Sequence, residues 1–185
     1  MKRFVIVFII VFFSYFIGDG IYSEINKDKI PGKAKRLECH QNVTVFERSY
    51  STDDLKYAQN LIIQGDDSFT SHIEKAVYSN SVLFNYISLD TTDKIFRKKL
   101  KNYIQSNEEN KKMYQVSYYI YENDKNDPGK KTKKSKLYAG YVVLEVKNMN
   151  NKSIYKVQID FMDNKDSDIK NCIECAVESL MTFNN

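Results

Sequence analysis

The chain contains no Trp, two Pro, six Gly, three Cys and two His among its 185 residues. The two histidines, His40 and His72, form no HExxH metal helix, and no Ser/His/Asp elbow is present. The glycines are scattered, so no Gly-rich loop is available to cradle a phosphate. Cys39 and His40 are sequence neighbours, and adjacent side chains of an extended segment point to opposite sides, which rules against a nucleophile–base pair. The acidic pairs (Asp53 with Asp54, Asp66 with Asp67, Glu108 with Glu109) fall at expected helix starts or in loops, where capping or solvation accounts for them. No catalytic residue or cofactor is expected, and the chain is read as a non-enzyme. Basic charge is not spread either. The net charge is +4, and six lysines against Asp127 crowd into "KNDPGKKTKKSK" (125–136). A nucleic-acid binder carries basic residues over a whole face, so no nucleic-acid partner is expected.

Apolar runs long enough to span a bilayer are also missing. The longest, residues 4–17, has 14 residues and includes Ser14 and Tyr15. About 20 are needed for a transmembrane helix. With Lys2 and Arg3 before it and a Gly- and Ser-containing stretch after it, "MKRFVIVFIIVFFSYFIGDGIYS" (1–23) reads as a secretory signal peptide, cleaved after Gly20 or Ser23. No Cys lies near that point, so lipoprotein processing is not expected. The expected location is exported, periplasmic or extracellular, an oxidising setting.

What is present is aromatic: 14 Tyr and 11 Phe supply apolar area for one core. Residues 24–38 read as a polar linker and 39–185 as a single domain. "NVTVFERSY" (42–50) alternates as a strand, and "STDDLKYAQNLIIQ" (51–64) has helical spacing behind a Ser/Thr/Asp start. "SFTSHIEKAVYSN" (68–80) places Phe69, Ile73, Ala76 and Val77 on one helical face, and "VLFNYISL" (82–89) reads as a strand. "TTDKIFRKKLKNYIQ" (91–105) is an amphipathic helix. Strands follow at 112–122, 137–148 and 153–162, the last two joined as a hairpin, before a helix at 166–183. The fold class is α+β: a βα(α)βα half, an antiparallel three-strand meander and a closing C-terminal helix. Helices on one face leave the other face of the meander wet, or covered by a partner.

This order resembles the small envelope domains of the TolB N-terminal, LpoB and CsgG type. "VLFNYISL", "YQVSYYIYE" (114–122) and "IKNCIECAVESL" (169–180) carry the resemblance as an order of elements. The lipid-attachment cysteine common in such proteins is absent. The resemblance concerns fold and does not by itself carry function.

Cys172 and Cys175 form a C-x-x-C pair. A redox pair starts at a helix N-terminus, whereas Cys172 lies a turn inside with Asp166, Asp168 and Glu174 nearby, which disfavours a thiolate. Zinc on Cys39, His40, Cys172 and Cys175 is the sharper alternative, but adjacent ligands fit a tetrahedron poorly. Residues one helical turn apart hold their Cβ atoms about 5–6 Å apart, too far for a disulfide. Cys39 is therefore the expected partner of one helix cysteine. Ile169, Ile173, Ala176 and Leu180 form the apolar stripe, with Cys172 at its edge and Cys175 on its flank. Both are within reach, with Cys172 preferred for burial.

Lys130, Lys131, Lys133, Lys134 and Lys136 are candidates for contact with an anionic surface, any membrane contact being peripheral. The loop interleaves no aromatics, so base stacking is not expected. Asn42 and Asn151 head N-x-S/T sequons. The expected function is an exported accessory of the cell envelope or of a secretion assembly that works by binding a protein. The alternative is a secreted inhibitor or immunity-type protein that blocks an enzyme with a loop.

Overall fold

The computed structural model describes residues 36–41, 43–106 and 113–183, all within the compact unit Ala34–Asn185. The expected signal peptide, most of the linker, Asn42, the pair Glu108 and Glu109, and the Lys134 side chain lie outside the described residues. Five strands form one sheet: β1 (Val45–Ser49), β2 (Phe69–Glu74), β3 (Tyr114–Glu122), β4 (Gly140–Asn148) and β5 (Ser153–Phe161). Their order is β1-β5-β4-β3-β2, antiparallel throughout except for β2, which lies parallel to β3. Three helices complete the α+β fold: α1 (Thr52–Ile63), α2 (Leu89–Lys101) and α3 (Asp166–Thr182).

Local chemistry accounts for most boundaries. Ser51 and Ser88 cap α1 and α2, accepting from the Asp54 and Thr91 amides at 3.4 and 3.2 Å. The acidic first turn of α3 complements the helix dipole. Asn148 Oδ1 accepts from the Asn150 and Lys152 amides at 3.0 and 3.1 Å and shapes the β4–β5 turn. Exposed Asn151, at φ 59°, takes the left-handed position there. Alternate residues of the central strands, among them Val116, Tyr118, Ile120, Val142, Leu144, Val157 and Ile159, meet the helices in one core. Tyr118 stacks on Phe96 of α2 at 4.6 Å and places its hydroxyl on Thr92 Oγ1 at 3.1 Å, so the buried phenol is satisfied.

Two sequence expectations fail. Residues 69–74, read as the start of a helix, are β2. Phe69 and Ile73 fit a spacing of four and equally an alternation, with Thr70, His72 and Glu74 exposed between half-buried neighbours. Six residues cannot separate the two periods, and pairing with β3 decides. "VLFNYISL" is no strand either. It holds a 3-10 turn, Leu83–Asn85, ahead of α2. Only Leu83 and Ile87 are buried, a spacing of four. The Val82 and Leu83 amides donate to the Glu122 carboxylate at 2.9 and 3.1 Å instead of to a neighbouring strand. The βα half therefore keeps two strands, but the second lies a dozen residues earlier than expected, and the stretch read as a second helix is absent.

Two residues, one before β1 and one at the start of β4, are tightly constrained. Arg36, assigned by sequence to the linker, belongs to the domain. Its guanidinium bonds Glu47 at 2.7 and 3.0 Å and Thr182 Oγ1 at 2.7 Å, tying the chain entry to β1 and the end of α3. Gly140 opens β4 opposite Glu122 and Phe161, where any Cβ would run into the Tyr121 carbonyl and the Phe161 ring. The carbonyl is backbone and Phe161 is fully buried, so neither yields. Gly140→Ala is expected to cost about 2 kcal/mol by overpacking. Urea unfolding checks this: the midpoint should fall with an unchanged slope.

Candidate functional site

Among the described residues no helix packs on the second face of the sheet. Alternation sends Tyr119 and Tyr121 of β3 to that face, because Tyr118, Ile120 and Glu122 point to the other. Register then puts Tyr141 beside Tyr121, His72 beside Tyr119 and Asp160 beside Tyr141. The rings form a continuous layer. His72 stacks on Tyr119 at 5.1 Å, Tyr121 stacks on Tyr141 at 4.7 Å, and Tyr119 and Tyr138 approach Tyr141 at 6.4 Å. Lys130 Nζ lies 5.3 Å from the Tyr121 centroid, a cation–π contact at the rim. All four tyrosines are half-buried. Burial raises the pKa of each phenol, so they remain neutral hydrogen-bonding groups at ordinary pH. Burial also raises the Asp160 carboxyl, against an opposing hydrogen bond from Gln158 Nε2 at 2.9 Å. His72, expected inside a helix, is on the exposed rim of this layer and pairs with Glu74 at 3.0 Å.

The expected bridge from Cys39 to the closing helix is present, but it takes Cys175 and not the preferred Cys172. Cys39 is bridged to Cys175, and Cys172 is free and buried. The stripe edge that made Cys172 attractive for burial carries it into the core, where its thiol points at the Asp160 carbonyl, 3.9 Å away. Cys39 arrives from the helix flank on the 3-10 turn Glu38–His40 and meets Cys175. Burial, then Asp168 and Asp160, push the Cys172 thiol up to about 12, so it is no nucleophile. Cys39, His40 and Cys175 keep their ligand atoms within 4.8 Å of one another, but both sulfurs are consumed by the bridge.

Beside the bridge a groove of about 410 Å³ is lined by Glu38, Lys99, Met162, Asn171, Glu174 and Glu178. Lys99 is paired with Glu178 at 2.9 Å, and the remaining charged groups of the lining, Glu38, Asp168 and Glu174, are acidic. A serine–histidine contact that sequence reading missed lies nearby: His40 Nε2 and Ser179 Oγ are 2.8 Å apart. Both residues are fully buried and His40 Nδ1 has no hydrogen-bond partner, so the contact lacks both the orienting group and the access that a catalytic dyad needs. It anchors the entry segment to α3. Helical spacing alone could not pair residues that are 139 apart in sequence.

The lysine loop is built on a fixed base. Asn123 Nδ2 donates to the Ser135 and Tyr138 carbonyls at 3.0 and 2.8 Å. Lys130 is half-buried, bonded to Asn123 Oδ1 and seated over Tyr121, so this candidate for external contact is engaged within the fold. Lys131, Lys133 and Lys136 are exposed.

No family model matches the chain, and neither does any curated protein. Among solved structures, the PelC dodecamer from Paraburkholderia phytofirmans is similar at 12% identity, covering 75% of this chain and 97% of that one, with a TM-score of 0.38. A variant of the same dodecamer gives a TM-score of 0.39 at the same identity and coverage. Likeness at this level carries no argument about function.

Proposed function

We propose that the chain is an exported, non-enzymatic binding protein, an accessory of the cell envelope or of a secretion assembly, that engages a protein partner through the tyrosine layer. The observation that carries this reading is the set Tyr119, Tyr121, Tyr138 and Tyr141 on a sheet face without a helix among the described residues. Tyrosine suits interfaces because it offers a large rigid apolar ring and a polar hydroxyl at low entropic cost. Export is supported by the Cys39–Cys175 bridge, which suits an oxidising compartment, and by the basic and apolar first 23 residues. The envelope-domain resemblance enters as a proposal of the same kind, with its second strand moved to Phe69–Glu74. A second reading, an inhibitor that blocks an enzyme, would work through the exposed tip at Lys131, Lys133 and Lys136.

The double variant Tyr119→Ser/Tyr141→Ser tests the first reading. It should keep its circular dichroism spectrum and lose about tenfold or more of partner retention in crosslinked envelope fractions. Retention unchanged in that variant but lost in Lys131→Ser/Lys133→Ser would transfer the function to the loop. A wild-type chain that retains no envelope partner would refute the accessory role.

A further inference from the structure

The ends of β2 and β3 carry a second surface that the tyrosine layer does not explain. The segment after β2 leaves its apolar side chains outside: Val77 is 82% exposed, Tyr78 61%, Phe84 54%, Tyr86 52% and Val82 41%. A loose loop would turn such groups inward. Here the backbone is turned inward instead. Glu122 accepts from the Ala76, Val82 and Leu83 amides at 3.0, 2.9 and 3.1 Å. Asp124 accepts from the Val77 amide at 2.7 Å and from that of Tyr78. Leu83 and Ile87 reach the core, and of the other apolar side chains in the segment Ala76 alone is buried. The segment is thus clamped with its aromatic and aliphatic side chains facing solvent, an arrangement that costs hydration and has no internal use.

Glu122 and Asp124 also lead directly into the lysine loop, so the clamped segment and the basic loop share one end of the sheet. Lys125 of that loop and Asn80 of the segment line the same crevice. Lys125, Lys131, Lys133 and Lys136 are exposed, and Leu137 beside them is 64% exposed. The acid within the loop, Asp127, is half-buried and accepts from the Gly129 amide at 2.8 Å. Projecting apolar side chains beside exposed lysines match the two-part demand of an anionic bilayer surface, an acyl boundary for the first and lipid phosphates for the second. An acidic soluble protein would satisfy the lysines and leave the apolar group unexplained.

We propose that this end of the molecule docks on an anionic lipid surface. Val77, Val82, Phe84 and Tyr86 enter the headgroup layer, and Lys125, Lys131, Lys133 and Lys136 contact lipid phosphates. The chain has no Trp, so Phe84→Trp introduces a lone indole at the proposed point of entry. In the full chain this indole should shift its emission to shorter wavelength and be quenched by bromine-labelled lipid in phosphatidylglycerol vesicles. It should do neither in phosphatidylcholine vesicles. Adding Lys131→Ser/Lys133→Ser/Lys136→Ser should weaken that response about 100-fold at physiological salt. In flotation assays Phe84→Ser/Tyr86→Ser should lower partitioning while leaving the circular dichroism spectrum unchanged, since both side chains are exposed. The N-terminal apolar run is common to every variant and cancels when variants are compared on the same vesicles. No quenching, equal quenching on neutral vesicles, or a response to a polyglutamate protein but not to vesicles would overturn the proposal. Tyr119→Ser/Tyr141→Ser should bind vesicles as wild type, which separates this surface from the partner face.

Discussion

Removing the Cys39–Cys175 bridge with paired alanine substitutions is expected to be the most destabilising small change in the molecule. The bridge joins residues 136 apart, and restricting a loop of that length in the unfolded chain is worth up to roughly 5 kcal/mol in the chain-entropy account. Such a loss is of the same order as the whole stability of many single domains. The variant should melt roughly 15 °C lower, or fail to accumulate in an oxidising compartment. Cys172→Ala is the internal contrast. It removes a thiol whose polar contact is a weak 3.9 Å approach to a carbonyl, so its cost is a small packing defect of about 1 kcal/mol. Thiol counting on the denatured, unreduced protein should find one free thiol, that of Cys172. Three thiols without reductant would show that the bridge does not form, and the two variants would then differ little.

The same cysteines show how far sequence reasoning reaches. That Cys39 pairs with the closing helix followed from the distance between neighbouring helix positions. Which cysteine it meets did not, because Cys172 and Cys175 lean to the same side and only the direction of approach of the Glu38–His40 turn separates them. The meander and α3 were legible because nine-residue strands and a 17-residue helix hold one period long enough to declare it. β2 was not, since its six residues satisfy two periods and its pairing partner lies 47 residues on. The tyrosine layer was half legible. Alternation within "YQVSYYIYE" announces two outward tyrosines, but their stacking with Tyr141 and His72 depends on register. The exposed segment at 77–89 was hidden for a different reason. Val77, Val82, Phe84 and Tyr86 look like core in any pattern, and only the inward-facing carboxylates of Glu122 and Asp124 reveal why they are not.

Those carboxylates give the second large effect. Glu122→Ala should cost about 4 kcal/mol, because it leaves the Ala76 and Leu83 amides buried without acceptors and the Val82 amide partly so. Glu122→Gln retains one acceptor oxygen and the side-chain volume, so its cost should be about half as large. If both variants unfold at the wild-type urea midpoint, the carboxylate does not hold the segment. Acid provides an independent route to the same clamp. Burial raises the Asp124 pKa, but the Ser79 hydroxyl and then the Tyr78, Val77 and Asn126 amides outweigh it and hold the group at about 2. At Glu122 burial is likewise outweighed by hydrogen bonds, from the Ser81 hydroxyl and then the Ala76, Val82 and Leu83 amides, and its pKa lies below the ordinary value. Folded-state pKa values depressed below the unfolded ones mean that this stabilisation is complete above about pH 4, the unfolded range. It is lost as pH falls toward about 2, where Asp124 titrates. Exchange at the Val77 and Leu83 amides should stay protected at pH 5 and open ahead of the β3–β4 ladder at the acid end, with Glu122→Gln opening at higher pH than wild type. Protection that survives in Glu122→Ala would assign the exposed apolar segment to Leu83 and Ile87 alone.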